Sequence, residues 1–197
     1  MSTNTAKPAA VAVADDAPIL FFDLKTQAKR LRADIEQRLM RILDHGAYIG
    51  GPEVTEVEAK LAGYSGVKHG LAVASGTDAL VIALMGEDIG PDDAVFIPGF
   101  TYNATCNAVL LSGATPVFVD VDPHTCNIDV KHLEAQVEAT VREGKLKPRM
   151  IIAVDLYGLP ADYAAINKIA AKHGMLVLAD AAQSFGGRQS GRAVGVL

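Results

Sequence analysis

The chain has 197 residues, 50% hydrophobic and 21% charged, with 18 glycines and 9 prolines, a balance that suits one large globular domain. Its net charge is −5 and its Lys and Arg residues form no basic block, so a nucleic-acid partner has no electrostatic support. No apolar run approaches the ~18 residues of a membrane span, and the two cysteines, Cys106 and Cys126, show no metal spacing and read as free thiols of a reducing, cytoplasmic compartment.

Residues 1–18 are rich in alanine and acidic at Asp15 and Asp16. They lack the basic start and continuous apolar core of a signal peptide, and a flexible tail is expected. Between Asp23 and His45 the residues Leu24, Ala28, Leu31, Ile35, Leu39, Ile42 and Leu43 recur at three or four, which predicts an amphipathic helix closed by Gly46. A loop follows through Gly51, and Pro52 suits the first turn of a second helix reaching about Ala62. Tyr48 lies between glycines, where it can either touch a ligand across bare backbone or simply pack.

His69–Ala74 reads as a strand, and Ser75-Gly76-Thr77-Asp78 as the turn into a helix running through Met85. Strand, small polar turn and helix together point free N–H groups and a positive dipole end at an anion. Gly76 would let a phosphate approach the backbone and Thr77 would donate its hydroxyl. The same residues also suit a plain helix cap. No Walker loop and no G-x-G-x-x-G is present, which disfavours a Rossmann-like nucleotide module.

Further strands are expected at Ala94–Pro98, Val117–Asp122, Met150–Val154 and Leu176–Asp180. The helices between them should end near Ser112, span Asp129–Val141 and span Ala161–His173, with Arg142–Pro148 a charged surface connection. Asp120 and Asp122 alternate on a strand, face opposite ways and do not make a metal site. Strands and helices alternate with crossovers long enough for parallel pairing, which gives an α/β layered fold. Leu176–Asp180 reads as a buried parallel strand that delivers Asp180 and, three residues on, Gln183 to its carboxyl end, where open α/β sheets bind ligands. On spacing alone Asp180 equally suits a cap for the following turn.

Five segments in order, Ala74-Ser75-Gly76-Thr77-Asp78-Ala79-Leu80, Ile97 through Thr105, Gly113 through Asp120, Leu156-Tyr157-Gly158 and Ala179-Asp180-Ala181-Ala182-Gln183-Ser184, resemble the DegT/DnrJ/EryC1/StrS family of sugar aminotransferases dependent on pyridoxal 5′-phosphate (PLP). The resemblance runs from about Ile19 to the last residue. It implies the three-layer fold type I, that of the aspartate aminotransferase large domain, with a mostly parallel sheet. It places Gly76 and Thr77 at the cofactor phosphate, Tyr102 over the ring face, Asp180 at the pyridine nitrogen and Gln183 beside the ring's 3-hydroxyl. His45 through Glu53 looks closest to members that aminate a 3-keto UDP-sugar acid for surface polysaccharide, in which Gly46 and Tyr48 would lie against the sugar-nucleotide. Homodimers, an amino-acid donor such as glutamate and a keto nucleotide-sugar acceptor are implied as well.

Family members carry a Schiff-base lysine beyond the glutamine matched by Gln183, whereas no lysine follows Lys172 here. Arg188 and Arg192 cannot take its place, because a guanidinium stays protonated. Residues 19–197 are therefore expected to form a truncated large domain without the small C-terminal domain, with no catalytic residue of its own and negligible transamination. Two other readings stay open: a catalytically silent fragment that binds PLP weakly or serves a partner, and a family dehydratase with histidine in the lysine's place.

Overall fold

The computed structural model describes residues 20–195, so the expected tail at 1–18 lies outside it. The chain divides into two compact units between Gly51 and Pro52. The first contains α1, Leu24–His45, started by Asp23, whose carboxylate accepts the Thr26 N–H at 3.0 Å. Hydrogen bonding from Thr26, from its side chain first and then from this N–H, holds the Asp23 carboxyl below its ordinary range. Gly46, at φ +67°, closes the helix with its N–H on the Ile42 carbonyl. None of the α1 side chains is buried, the apolar row Leu31, Ile35, Leu39 and Leu43 included.

The second unit begins with α2 (Pro52–Ser65) and α3 (Gly76–Gly86). Then β1 (Asp93–Pro98), α4 (Ala104–Leu111), β2 (Thr115–Val119), α5 (Val130–Glu143), β3 (Lys147–Val154), α6 (Tyr163–His173) and β4 (Leu176–Asp180) alternate. The four strands pair in parallel in the order β2-β1-β3-β4. Side chains of β1 and β3 are apolar on both faces, so each face must be covered. Phe96, Ile151 and Ala153 pack with Leu133 and Val137 of α5 and Ile166 and Ile169 of α6. Val95, Ile97, Met150 and Ile152 pack with Leu80 and Leu84 of α3 and Ala108 and Val109 of α4. The result is three layers, with one core on each side of the sheet. No helix among the described residues is long and apolar enough to cross a membrane.

Four expectations need correction. His69–Ala74 forms no strand, because none of the described strands pairs with it; its Ala72 N–H is taken by the Glu58 carboxylate of α2 at 2.8 Å. The second strand stops at Val119 instead of Asp122. There the chain turns, and the Asp122 carboxylate accepts the N–H groups of Thr125 and His124, which lower its pKa. The supposed connection Arg142–Pro148 contributes its ends to α5 and β3, since Lys147 pairs with Asp93. β4 is only partly buried, since among the described residues β3 is its one strand neighbour. A short hairpin, β5 (Arg188–Gln189) and β6 (Arg192–Ala193), turns through Ser190 and Gly191, both at positive φ.

Leu133 is fully buried where α5 meets the sheet. Leu133→Ala is expected to destabilise the fold by about 2–5 kcal/mol, read as a lower urea midpoint with an unchanged m-value.

Candidate functional site

β1 lies between β2 and β3: α4 carries the chain from β1 to β2 over one face, and α5 carries it back from β2 to β3 over the other. Such a switch opens a crevice beyond the carboxyl ends of the strands. A cavity of about 280 Å³ occupies that position, lined by Gly76, Thr77, Leu80, Thr101, Tyr102, Ala104, Val154, Asp180, Ala182 and Gln183. All five residues predicted from the sequence to hold a cofactor, Gly76, Thr77, Tyr102, Asp180 and Gln183, line this one cavity. They reach it from the start of α3, the loop after β1, and the end of β4 with its turn.

Each arrives for a local reason. Ser75 caps α3, accepting the Asp78 N–H at 3.1 Å, while the Ala79 N–H bonds the Ser75 carbonyl. The N–H groups of Gly76 and Thr77 fall in the turn that has no intrahelical acceptor. A Cβ built on Gly76 meets nothing within 4 Å, so that side of the turn is open space. Tyr102 follows β1 and is 73% exposed. Asp180 pairs in register with Val154, and its Oδ1 accepts the Ala182 N–H at 3.2 Å. Gln183 Oε1 accepts the Tyr157 N–H at 2.6 Å, which turns the amide so that its NH₂ is the end left to donate.

Gly46 and Tyr48, the predicted substrate residues, belong to the first unit. Gly46 caps α1, and Tyr48 is exposed with its N–H on the Gly46 carbonyl.

Sequence reasoning overlooked Asp155. It is fully buried behind β3, and its Oδ1 accepts the Ala161 N–H at 2.9 Å and the Tyr163 hydroxyl at 2.8 Å. Its Oδ2 accepts the Ser184 hydroxyl at 2.7 Å. The available clue was its place: an aspartate at the carboxyl end of an apolar strand, as Asp180 is. Burial, and then the bond to Asp155, push the Tyr163 phenol far above its ordinary range. Tyr157, quoted from the sequence only as part of a motif and given no role, is a non-glycine residue at φ +56°.

A wider cleft of about 450 Å³ lies between residues 122–131 and 159–162. Three of its carboxylates each give Oδ1 to nearby backbone N–H groups: Asp122 to the following turn, Asp129 to the Lys131 and His132 N–H groups, and Asp162 to the Ala165 N–H.

A family model described as the DegT/DnrJ/EryC1/StrS aminotransferase family matches residues 29–197. The chain belongs to that family. A UDP-2-acetamido-2-deoxy-3-oxo-D-glucuronate aminotransferase of Pseudomonas aeruginosa is 48% identical over 174 residues, 88% of this chain and 46% of that protein. A DegT/DnrJ/EryC1/StrS aminotransferase from Brucella abortus superposes with a TM-score of 0.88 at 47% identity, covering 90% of this chain and 48% of that one. The S. venezuelae protein DesV, solved in complex with a ketimine intermediate, gives 0.84 at 39% identity over 90% and 46%. The chain thus spans about half the length of the DegT/DnrJ/EryC1/StrS relatives it matches, and it shares their α/β fold with a parallel sheet.

The Tyr163 phenol gives a pH signature. Its neutral form is favoured in the fold, so its contribution to stability is complete below the ordinary tyrosine pKa of about 10 and is lost as pH rises beyond it. Denaturant titrations from pH 8 to 11 should show stability falling at the alkaline end. Tyr163→Phe should flatten that fall and cost about 1.5–3 kcal/mol at neutral pH, the worth of a hydrogen bond to a charged group.

Proposed function

We propose that the cavity at the carboxyl ends of β1, β3 and β4 seats pyridoxal 5′-phosphate. The chain is then the cofactor-binding part of an enzyme that moves an amino group from an amino acid, glutamate first among candidates, to a keto nucleotide-sugar for polysaccharide or amino-sugar synthesis. The observation that carries this reading is the convergence of Gly76, Thr77, Tyr102, Asp180 and Gln183 on one cavity.

The donor set fits the group. The first turn of α3 offers backbone N–H groups, the helix dipole and the Thr77 hydroxyl to a phosphate dianion. Tyr102 supplies a flat face that fixes the ring plane. Asp180, with one oxygen on Ala182, has the other to accept a proton-bearing ring nitrogen and so holds that nitrogen protonated. The NH₂ of Gln183 donates to the ring's 3-oxygen, an orientation set by its bond from the Tyr157 N–H. Leu80, Ala104, Val154 and Ala182 form the apolar lining that thins water around these charges. When bound, the cofactor supplies a carbonyl carbon to carry the amino group and a ring that takes up the electrons of the substrate's Cα–H bond.

None of the residues lining the cavity is a lysine. Residues 1–197 alone are therefore proposed to hold PLP without a covalent bond and to transaminate negligibly. Similarity to the Pseudomonas aeruginosa enzyme favours a UDP-linked 3-keto sugar acid as acceptor, with Gly46 and Tyr48 against the sugar-nucleotide. A cytoplasmic homodimer is the assembly proposed for the whole enzyme.

Titrating PLP into the purified chain should give saturable binding, and Asp180→Ala should weaken it about tenfold or more, the value of one charge-assisted hydrogen bond. Equal affinity in the two proteins would remove Asp180 from the seat. Borohydride reduction followed by mass spectrometry should leave the chain unmodified; a stoichiometric adduct on one lysine would overturn the non-covalent reading.

A further inference from the structure

Beneath the cavity lies a carboxylate that never reaches it. Asp155 follows Val154, the residue of β3 in register with Asp180, and it is absent from the cavity wall. It grips the turn after β4 at both ends. Its N–H donates to the Asp180 carbonyl at 3.0 Å, and its Oδ2 accepts the Ser184 hydroxyl at 2.7 Å. Between these anchors run Ala181, Ala182 and Gln183, closed by the Ser184 N–H on the Ala181 carbonyl at 3.1 Å. Two of the five seat residues, Asp180 and Gln183, thus ride on a turn whose ends are both fastened to one buried residue.

The other oxygen fastens that turn to the body of the fold. Oδ1 accepts from the Ala161 N–H and the Tyr163 hydroxyl at the start of α6, whose own side chain is packed in the core. The backbone leaving Asp155 then makes a tight turn, with the Gly158 N–H on the Asp155 carbonyl and Tyr157 at φ +56°. Asn127 braces this turn from a third segment. Its Oδ1 accepts the Leu156 N–H at 3.1 Å and its NH₂ donates to the Leu159 carbonyl at 2.9 Å. The Tyr157 N–H is consequently held where it meets Gln183 Oε1.

A buried carboxylate is costly unless its oxygens are satisfied. Here three donors converge on it, and no Lys or Arg is among them. A carboxylate accepts at both oxygens; a carboxamide accepts at one and would present N–H groups to Ser184; a methyl group would leave all three donors bare.

We infer that Asp155 is a positioning residue of the cofactor seat, holding the Asp180–Ser184 turn so that the Asp180 carboxylate and the Gln183 amide keep their places. The inference rests on the reading of the cavity as a PLP seat, and it adds a role for a residue that touches no ligand. Ser184 and Tyr163 are its partners, the first toward the seat and the second toward the core.

The test compares Ser184→Ala, Asp155→Asn and Asp155→Ala with Leu133→Ala, a core variant outside the network. Hydrogen–deuterium exchange of residues 181–187 is followed in the cofactor-free chain, and PLP affinity is measured by titration. Ser184→Ala and Asp155→Ala should speed exchange of the turn and weaken PLP about tenfold, with Asp155→Asn between them and wild type. Leu133→Ala should lower the thermal midpoint yet leave both readouts near wild type. Wild-type exchange and affinity in Ser184→Ala overturn the inference even if Asp155→Ala fails to fold, as does a loss of affinity in Leu133→Ala matching that of Ser184→Ala. Absence of PLP binding by the wild-type chain sinks the reading of the seat, and exchange in the turn then decides by itself whether Asp155 holds it.

Discussion

Everything in the second unit follows from β1 and β3 being apolar on both faces. A strand of this kind cannot border water on either side, so helices must cover the sheet above and below. The alternation of Phe96 with Val95 and Ile97, and of Ile151 with Met150 and Ile152, divides the interior into two cores with the sheet between them. Polar groups are then excluded from the strand bodies. They gather where strands end, and the parallel order gathers those ends on one side. Asp155 and Asp180 lie together for that reason.

Much of this was legible in the chain because the governing patterns are local. Gly46 and Gly174 each close a helix at positive φ, and the last residues of β1, β3 and β4 were placed correctly. Five residues of the cavity were also legible, since each sits at a helix start or just after a strand and has its own chemical character. What escaped depends on partners distant in sequence. His69–Ala74 has the composition of a strand, but a strand is defined by its neighbour, and none of the described strands adjoins it. Leu176–Asp180 has the look of a central strand, and only the sheet order reveals that among the described strands it pairs with β3 alone. Asp155 looks like any strand-end aspartate until Ala161, Tyr163 and Ser184 are seen to converge on it.

The exposed charges are organised around packing, with Lys172 the clearest case. It extends from α6 across to Glu134 and Glu138 of α5, each at 2.9 Å. The two carboxylates raise its pKa, and Lys172 in turn lowers that of Glu138. Exposed pairs of this type are screened by solvent and contribute little to stability. Their geometry nevertheless matches the adjacency of the two helices that the core beneath requires.

The strand order has a consequence for how the chain reaches its fold. β1 and β2 are joined by one short helix and can pair as soon as both exist, with α4 covering one face. β3 enters on the opposite edge of β1, and Val95 waits for Met150. On a chain emerging from its amino terminus, that edge of β1 stays open, with unpaired N–H and C=O groups, until α5 and β3 have been made. The closing step joins residues far apart and carries a high contact order, which slows it. For that interval the nascent protein displays an apolar strand edge of the sort that recruits other chains. The switch in strand order that creates the ligand crevice therefore also sets an aggregation-prone moment of its synthesis.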